Sequence, residues 1–235
     1  MRDFIEILIN SFQLIFTLDT ELSDILILSL RVSISALIIS CFLGLPIAAY
    51  CSVKNFTGKK FLIILTNSLM GLPPVFVGLV LYIVFSNSGP LGFFQILYTP
   101  TIMILAQIIL ILPIIISLSY ETLDSICCEY NEMLKSLGTS FIQRVKTILW
   151  DARYSLLTTI LAGLGRAMSE VGAIIIVGGN IAYHTRVMTT TIALETSKGN
   201  LELALALGLI LIFLSLSLNV SVFFIKHFSK NHSYD

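Results

Sequence analysis

"EMLKSLGTSFIQRVKTILW", residues 132–150, decides how the chain is read. The sequence on either side is dominated by apolar runs. This passage instead holds a carboxylate, three cations and a glycine. Glu132 to Leu137 suits a short helix, and Gly138 is its C-terminal stop. Ser140 and Gln143 have the spacing of a capping box, which opens a second helix. In that helix Phe141, Ile142, Val145, Ile148 and Leu149 share one side, and Gln143, Arg144, Lys146 and Thr147 the other. The pattern predicts a small helical knob, a sharp turn, and an amphipathic helix along a membrane surface that aims the chain into the next span. Two readings stay open on the residues alone: a solvated helical loop, or a docking knob for a cytosolic partner. Loops this long without a function are uncommon.

The rest of the chain supplies the membrane. Of 235 residues, 56% are hydrophobic and 12% charged, against about 25% charged in soluble domains. A spanning helix needs roughly 20 apolar residues. Stretches 25–50, 61–86, 101–120 and 201–225 qualify plainly, and 154–182 qualifies with Arg166 and Glu170 inside it. The expected fold is all-α: a single polytopic membrane domain over 1–235, with about five transmembrane helices. A soluble enzyme is excluded by these runs. The zero net charge argues against nucleic-acid binding, because no basic footprint exists to release counterions. Cys41, Cys51, Cys127 and Cys128 show neither metal spacing nor a CxxC pair, so no metal and no cofactor is expected.

Residues 1–18 need separate treatment. Helix over 4–18 reaches at most about 22 Å, short of a hydrocarbon core of about 30 Å. Asp3, Glu6, Asn10, Gln13 and Thr17 form one stripe, which predicts a helix lying in the membrane interface. Orientation follows from the cations. Lys54, Lys59 and Lys60 lie near 51–60; Lys135, Arg144, Lys146 and Arg153 lie in 121–153; Lys226 and Lys230 lie in the tail. Opposite them are Arg2, Arg186 and Lys198 with the acids Asp19, Glu21 and Asp24. The expected topology has the N-terminus outside and the C-terminus cytoplasmic, with 121–151 as a cytoplasmic segment.

The opening passage resembles the cytoplasmic coupling motif of permease subunits in binding-protein-dependent ABC importers. That motif reads Glu-Ala-Ala, three residues, Gly, nine residues, Ile, one residue, Leu-Pro. Glu132, Gly138 and Ile148 fall at its spacing; Met133 and Leu134 replace the alanines, and Trp150 and Asp151 replace Leu-Pro. "GLPPVFVGL" (71–79) resembles the double-proline stretch of the molybdate, tungstate and sulfate permeases. "GRAMSEVGAIIIVGGNIAYHTRVMTTTIALETSKG" (165–199) resembles their following span and external loop, and is most similar to tungstate permeases in "GGNI", "TRVMTT" and "LETSKG". The resemblance covers roughly residues 24–225. It implies a complex in the cell membrane of two copies of this chain, two ATP-binding subunits and an extracytoplasmic oxyanion-binding protein. Glu132, Met133, Leu134, Leu137, Gly138 and Ile148 would then couple the chain to the ATPase. The chain holds no GxxxxGK[ST], so no P-loop of its own is expected, nor an enzymatic site. Molybdate or sulfate is the alternative substrate, and a channel or membrane scaffold without an ATPase the alternative class.

Other residues carry two readings each. Pro73 and Pro74 predict a kink or break in their span. It is either a static bend, or a break that shapes a pathway beside Gly71 and Gly78. "TRVMTTT" (185–191), including Thr189 and Thr190, offers hydroxyl donors to replace the water of a dianion, or is an ordinary external loop. Arg166 and Glu170 stand four apart and can pair, either to hold helices together or to border an anion path. His184, beside Tyr183, reads as a surface residue. Ser169 with His184 lacks the nucleophile elbow of a hydrolase.

Overall fold

The computed structural model describes residues 2–17 and 20–232; of 2–6, 8, 16–17, 131 and 225–232 it describes the backbone alone. The expectations placed on Asp19, and on the side chains of Arg2, Asp3, Glu6, Thr17, Lys226 and Lys230, lie outside the described residues. The described residues form nine α-helices and no strand: α1 (Arg2–Thr17), α2 (Thr20–Val53), α3 (Lys59–Leu69), α4 (Pro74–Phe85), α5 (Pro100–Ser136), α6 (Phe141–Ser169), α7 (Gly172–Gly178), α8 (Met188–Lys198) and α9 (Leu201–His232).

By length and composition α2, α5 and α9 can each cross a membrane, and the broken pairs α3–α4 and α6–α7 bring the count to five if each is one span. This matches the five apolar runs. The break between α3 and α4 falls where the prolines predict it. Pro73 is extended (φ −66°, ψ 119°) and Pro74 begins α4, where its missing N–H costs nothing.

The polar insert differs from expectation. α5 is one helix of 37 residues running to Ser136, about 55 Å long, so it outreaches a hydrocarbon core by roughly 25 Å. α6 likewise starts at Phe141 and runs unbroken to Ser169. There is no separate knob helix at 132–137 and no separate surface helix after it. Both are the ends of long helices joined through 137–140. An amphipathic pattern reads the same on a helix lying flat and on the end of one packed against a neighbour.

The helices group into two compact units. One comprises residues up to Ala36, Pro73–Gln107 and Gly165–Leu218. Here Leu22, Ile25, Met188 and Leu207 form a buried cluster, and the Met188 N–H donates to Ser29 Oγ at 2.8 Å. α4 packs on α7. α1 is held to the start of α9: Asn10 donates to Glu202 Oε1 at 2.8 Å and Ser11 to the Glu202 carbonyl at 2.9 Å. Ser11 is fully buried while Ile9 and Phe12 are exposed. α1 therefore turns polar groups inward at this point and apolar ones outward, as suits an apolar surrounding.

The other unit comprises Leu37–Leu72, Ile108–Leu164 and the residues from Asn219. Its core joins Ala48 and Ala49 with Leu123, Cys127, Leu134, Ile148, Ala152 and Leu156. Ser117 hydrogen-bonds Asn67, and Lys59 pairs with Asp124 at 3.4 Å, so polar ties join α3 to α5.

Candidate functional site

At the end of α5 the chain turns through Gly138, whose φ is +67°. The Thr139 N–H donates to the Leu134 carbonyl at 3.2 Å and the Gly138 N–H to the Lys135 carbonyl at 3.0 Å. This is a Schellman stop, and its left-handed residue is glycine because a Cβ there is penalised. The capping box expected at the start of α6 is formed: the Ser140 N–H donates to Gln143 Oε1 at 2.8 Å, and the Gln143 N–H to Ser140 Oγ at 3.4 Å. The two ends face differently from expectation. Leu134 and Ile148 are buried in the core, so neither can fill a groove on another protein. Glu132 and Gly138 are exposed, as are Met133, Leu137, Ile142 and Trp150. Period-3.6 patterning does not separate a core-facing apolar residue from one awaiting a partner.

The break after α6 is the polar centre of the first unit. Glu170 lies just beyond the end of α6, with 4% of its side chain exposed. Its Oε2 stands 3.4 Å from Arg166 Nη2, and Arg166 is 34% exposed. Its other oxygen accepts the Ala173 N–H at 3.2 Å, in the first turn of α7, where an anion also meets the positive end of the helix. Its carbonyl accepts from Thr189 Oγ1 at 2.9 Å. The expected pair therefore forms, and it is one side of a three-way junction. Gly78 lies buried against α7: a Cβ there would stand 2.9 Å from Ala173 Cα and 3.0 Å from its carbonyl oxygen. Pro73 is exposed and Pro74 half-buried. Gln107, also buried, donates to the Ala167 carbonyl at 3.0 Å. The void lined by Ser33, Gln107, Ala167 and Thr189 is about 10 Å³, room for about one water. It is closed to an oxyanion.

The hydroxyls of 185–191 are engaged within the protein. Thr185 donates to the Gly178 carbonyl at 2.5 Å and accepts the Ile181 N–H at 3.0 Å. Thr190 donates to Asn180 Oδ1 at 2.9 Å and accepts the Val187 N–H at 3.2 Å. Thr191 donates to the Val187 carbonyl at 2.8 Å. All of these, with Thr189, are buried. Gly179 and Asn180 both take positive φ, so "GGNI" makes the turn that these threonines fasten. Of the two readings open for Thr189 and Thr190, their burial and their partners support a place in the loop's framework. Farther along, Lys198 and Asn200 hydrogen-bond Glu195 at 2.8 and 3.0 Å and, Lys198 first, hold its carboxyl below the usual range. That clamp is complete above the ordinary carboxylate pKa and is lost as pH falls through the lowered one. Ser169 donates to the Arg166 carbonyl at 3.2 Å, a helix-end contact unrelated to His184.

Hydropathy passed over one residue. Arg31 lies inside α2, in a stretch counted as plainly apolar. It is exposed and lines a cavity of about 420 Å³ with Arg186 and His184. A single charge just before an uncharged run was the signal available.

Residues 40–230 match the family of binding-protein-dependent transport system inner membrane components. The chain belongs to that family. It is a membrane-spanning ABC permease. Among curated relatives, a probable anion ABC transporter permease of Haloferax volcanii is 42% identical over 78% of this chain and 81% of its own length. A tungstate uptake system permease of Peptoclostridium acidaminophilum is 38% identical over 82% and 84%. A sulfate transport system permease of Salmonella typhimurium is 28% identical over 63% and 56%.

Proposed function

We propose that this chain is the membrane subunit of an ATP-driven tungstate importer. Two copies form the path, two separate ATP-binding subunits drive it, and an extracytoplasmic binding protein delivers the anion. The observation that carries the substrate is the likeness to a permease named for tungstate over about four-fifths of both chains, against the lower identity to a sulfate permease. Molybdate and sulfate, also tetrahedral dianions, are the alternatives. The exposed Met133 and Leu137 beside the Gly138 turn support docking on the ATPase with Glu132, while Leu134 and Ile148 brace that tip from inside. Pro73, Pro74, Gly78, Arg166 and Glu170 shape and border the path; Thr189 and Thr190 hold the outer loop in form. The excess of Lys and Arg near 51–60 and 121–153 supports a cytoplasmic tip, with the N-terminus outside and the C-terminus inside.

Cells without tungstate uptake of their own, given this chain with its ATPase and binding protein, are expected to accumulate tungsten, read by mass spectrometry, when molybdate or sulfate is present in excess. Accumulation of sulfur or molybdenum in place of tungsten would overturn the assignment. In the same cells Gly138→Val is expected to abolish uptake while the complex still assembles. A Cβ meets no neighbour there, so the effect is purely conformational, roughly 1–2 kcal/mol for a left-handed residue. Gly138→Asn, which tolerates that conformation, is expected to keep most of the uptake. Normal uptake by the valine variant would show that the turn has no part in coupling.

A further inference from the structure

The cavity beside α2 brings together two arginines that the sequence separates by a long stretch of chain. Glu21, Asp24, Leu28 and Arg31 follow one another at spacings of three and four, which places them on one face of the helix. All four line the cavity, and the loop between α7 and α8 closes it with Tyr183, His184 and Arg186. Residues 32–53 carry no charge. They make roughly 33 Å of helix, about the thickness of a hydrocarbon core, so Arg31 stands at one mouth of the apolar run. Arg31 has no ion-pair partner among the described residues, whereas Arg186 is held by Glu21 at 3.1 Å. The threonine hydroxyls of 185–191 are taken up by backbone carbonyls and by the Asn180 side chain, so they compete for nothing that enters here.

We infer that this cavity is a transient binding site for a tetrahedral oxyanion, in which Arg31 makes the principal charge-assisted contact and Arg186, His184 and Tyr183 supply further donors. The inference rests on the oxyanion reading above and names where on this chain the anion is first held. A planar guanidinium presents paired N–H groups to two oxygens of such an ion. Asp24 and Glu21 share the cavity and oppose the anion, so the site holds it weakly. Weak holding is what a conducting path requires, since an ion bound tightly at one place does not move on.

The test is equilibrium dialysis of the full-length protein, purified in detergent, against sodium tungstate, with bound tungsten measured by mass spectrometry. Arg31→Gln is expected to weaken binding by about tenfold, the loss of one charge-assisted contact. Arg31→Lys, which keeps the charge and loses the fork, should weaken it less. Asp24→Asn removes an opposing charge from the same face and should tighten binding. Lys60→Gln, an exposed cation outside the cavity, should leave binding as it is. Equal melting temperatures show that the variants are folded; if Arg31→Gln is not, the Asp24→Asn and Arg31→Lys results decide. Unchanged binding in the Arg31 and Asp24 variants overturns the inference. So does a loss confined to association with the binding protein, which would make the cavity a protein dock. Dialysis against molybdate and sulfate separates the two claims. Arg31-dependent binding of sulfate but not tungstate would remove the tungstate assignment and leave the site. Tungsten uptake by cells, with dialysis indifferent to Arg31, would remove the site and leave the assignment.

Discussion

Glu170→Ala is expected to lower stability by about 2–3 kcal/mol and to abolish transport. The loss is smaller than for a fully buried ion pair because Arg166 is one-third exposed, but the substitution also strands the Ala173 N–H at the start of α7. Glu170→Gln keeps an oxygen for that N–H and should lose about half as much. The charge swap Arg166→Glu with Glu170→Arg would restore a plain ion pair. Here it is expected to fail, because an arginine at 170 offers no acceptor to the Ala173 N–H. Thermal unfolding of the purified chain checks the order, with glutamine mildest. A swapped protein as stable as the wild type would mean that the pair alone matters and the junction does not.

The second large effect is expected at Gly78. A side chain there would press on the backbone of Ala173 at 2.9 and 3.0 Å, and backbone cannot rotate away as a side-chain tip does. Gly78→Ala should destabilise by about 1–3 kcal/mol, and Gly78→Val by more. Close approach of helices through small residues is how membrane helices gain packing, so α4 would separate from α7. Gly165→Ala is the matched control, since nothing lies near its Cβ. Equal yields of folded protein from the Gly78 and Gly165 variants would contradict the close-packing account.

Much of the fold was legible because its signals are local. Apolar run length marked the spans, two prolines marked the break before α4, Gly138 marked a helix stop, and Ser140 with Gln143 marked a helix start. The i, i+4 spacing of Arg166 and Glu170 foretold their pair. What failed depended on tertiary surroundings. Whether Leu134 faces a core or a partner is set by what α6 places opposite it, which periodicity does not contain. The sequence left the hydroxyls of 185–191 open between an anion and the loop's own framework, because a threonine in sequence carries no record of the groups it will reach. Arg31 was passed over because a run judged by its apolar length absorbs a single charge.

The joint at 137–140 has a mechanical consequence. A Schellman stop and a capping box close both sides of it, so little slack remains to absorb a displacement. From that joint back to Pro113, the proline inside α5, the backbone is uninterrupted helix of roughly 35 Å. A helix without proline resists bending, while proline removes a hydrogen bond and gives a defined place to flex. This length of α5 is therefore a stiff strut, and Pro113 marks the one place along it where a missing hydrogen bond leaves room to flex.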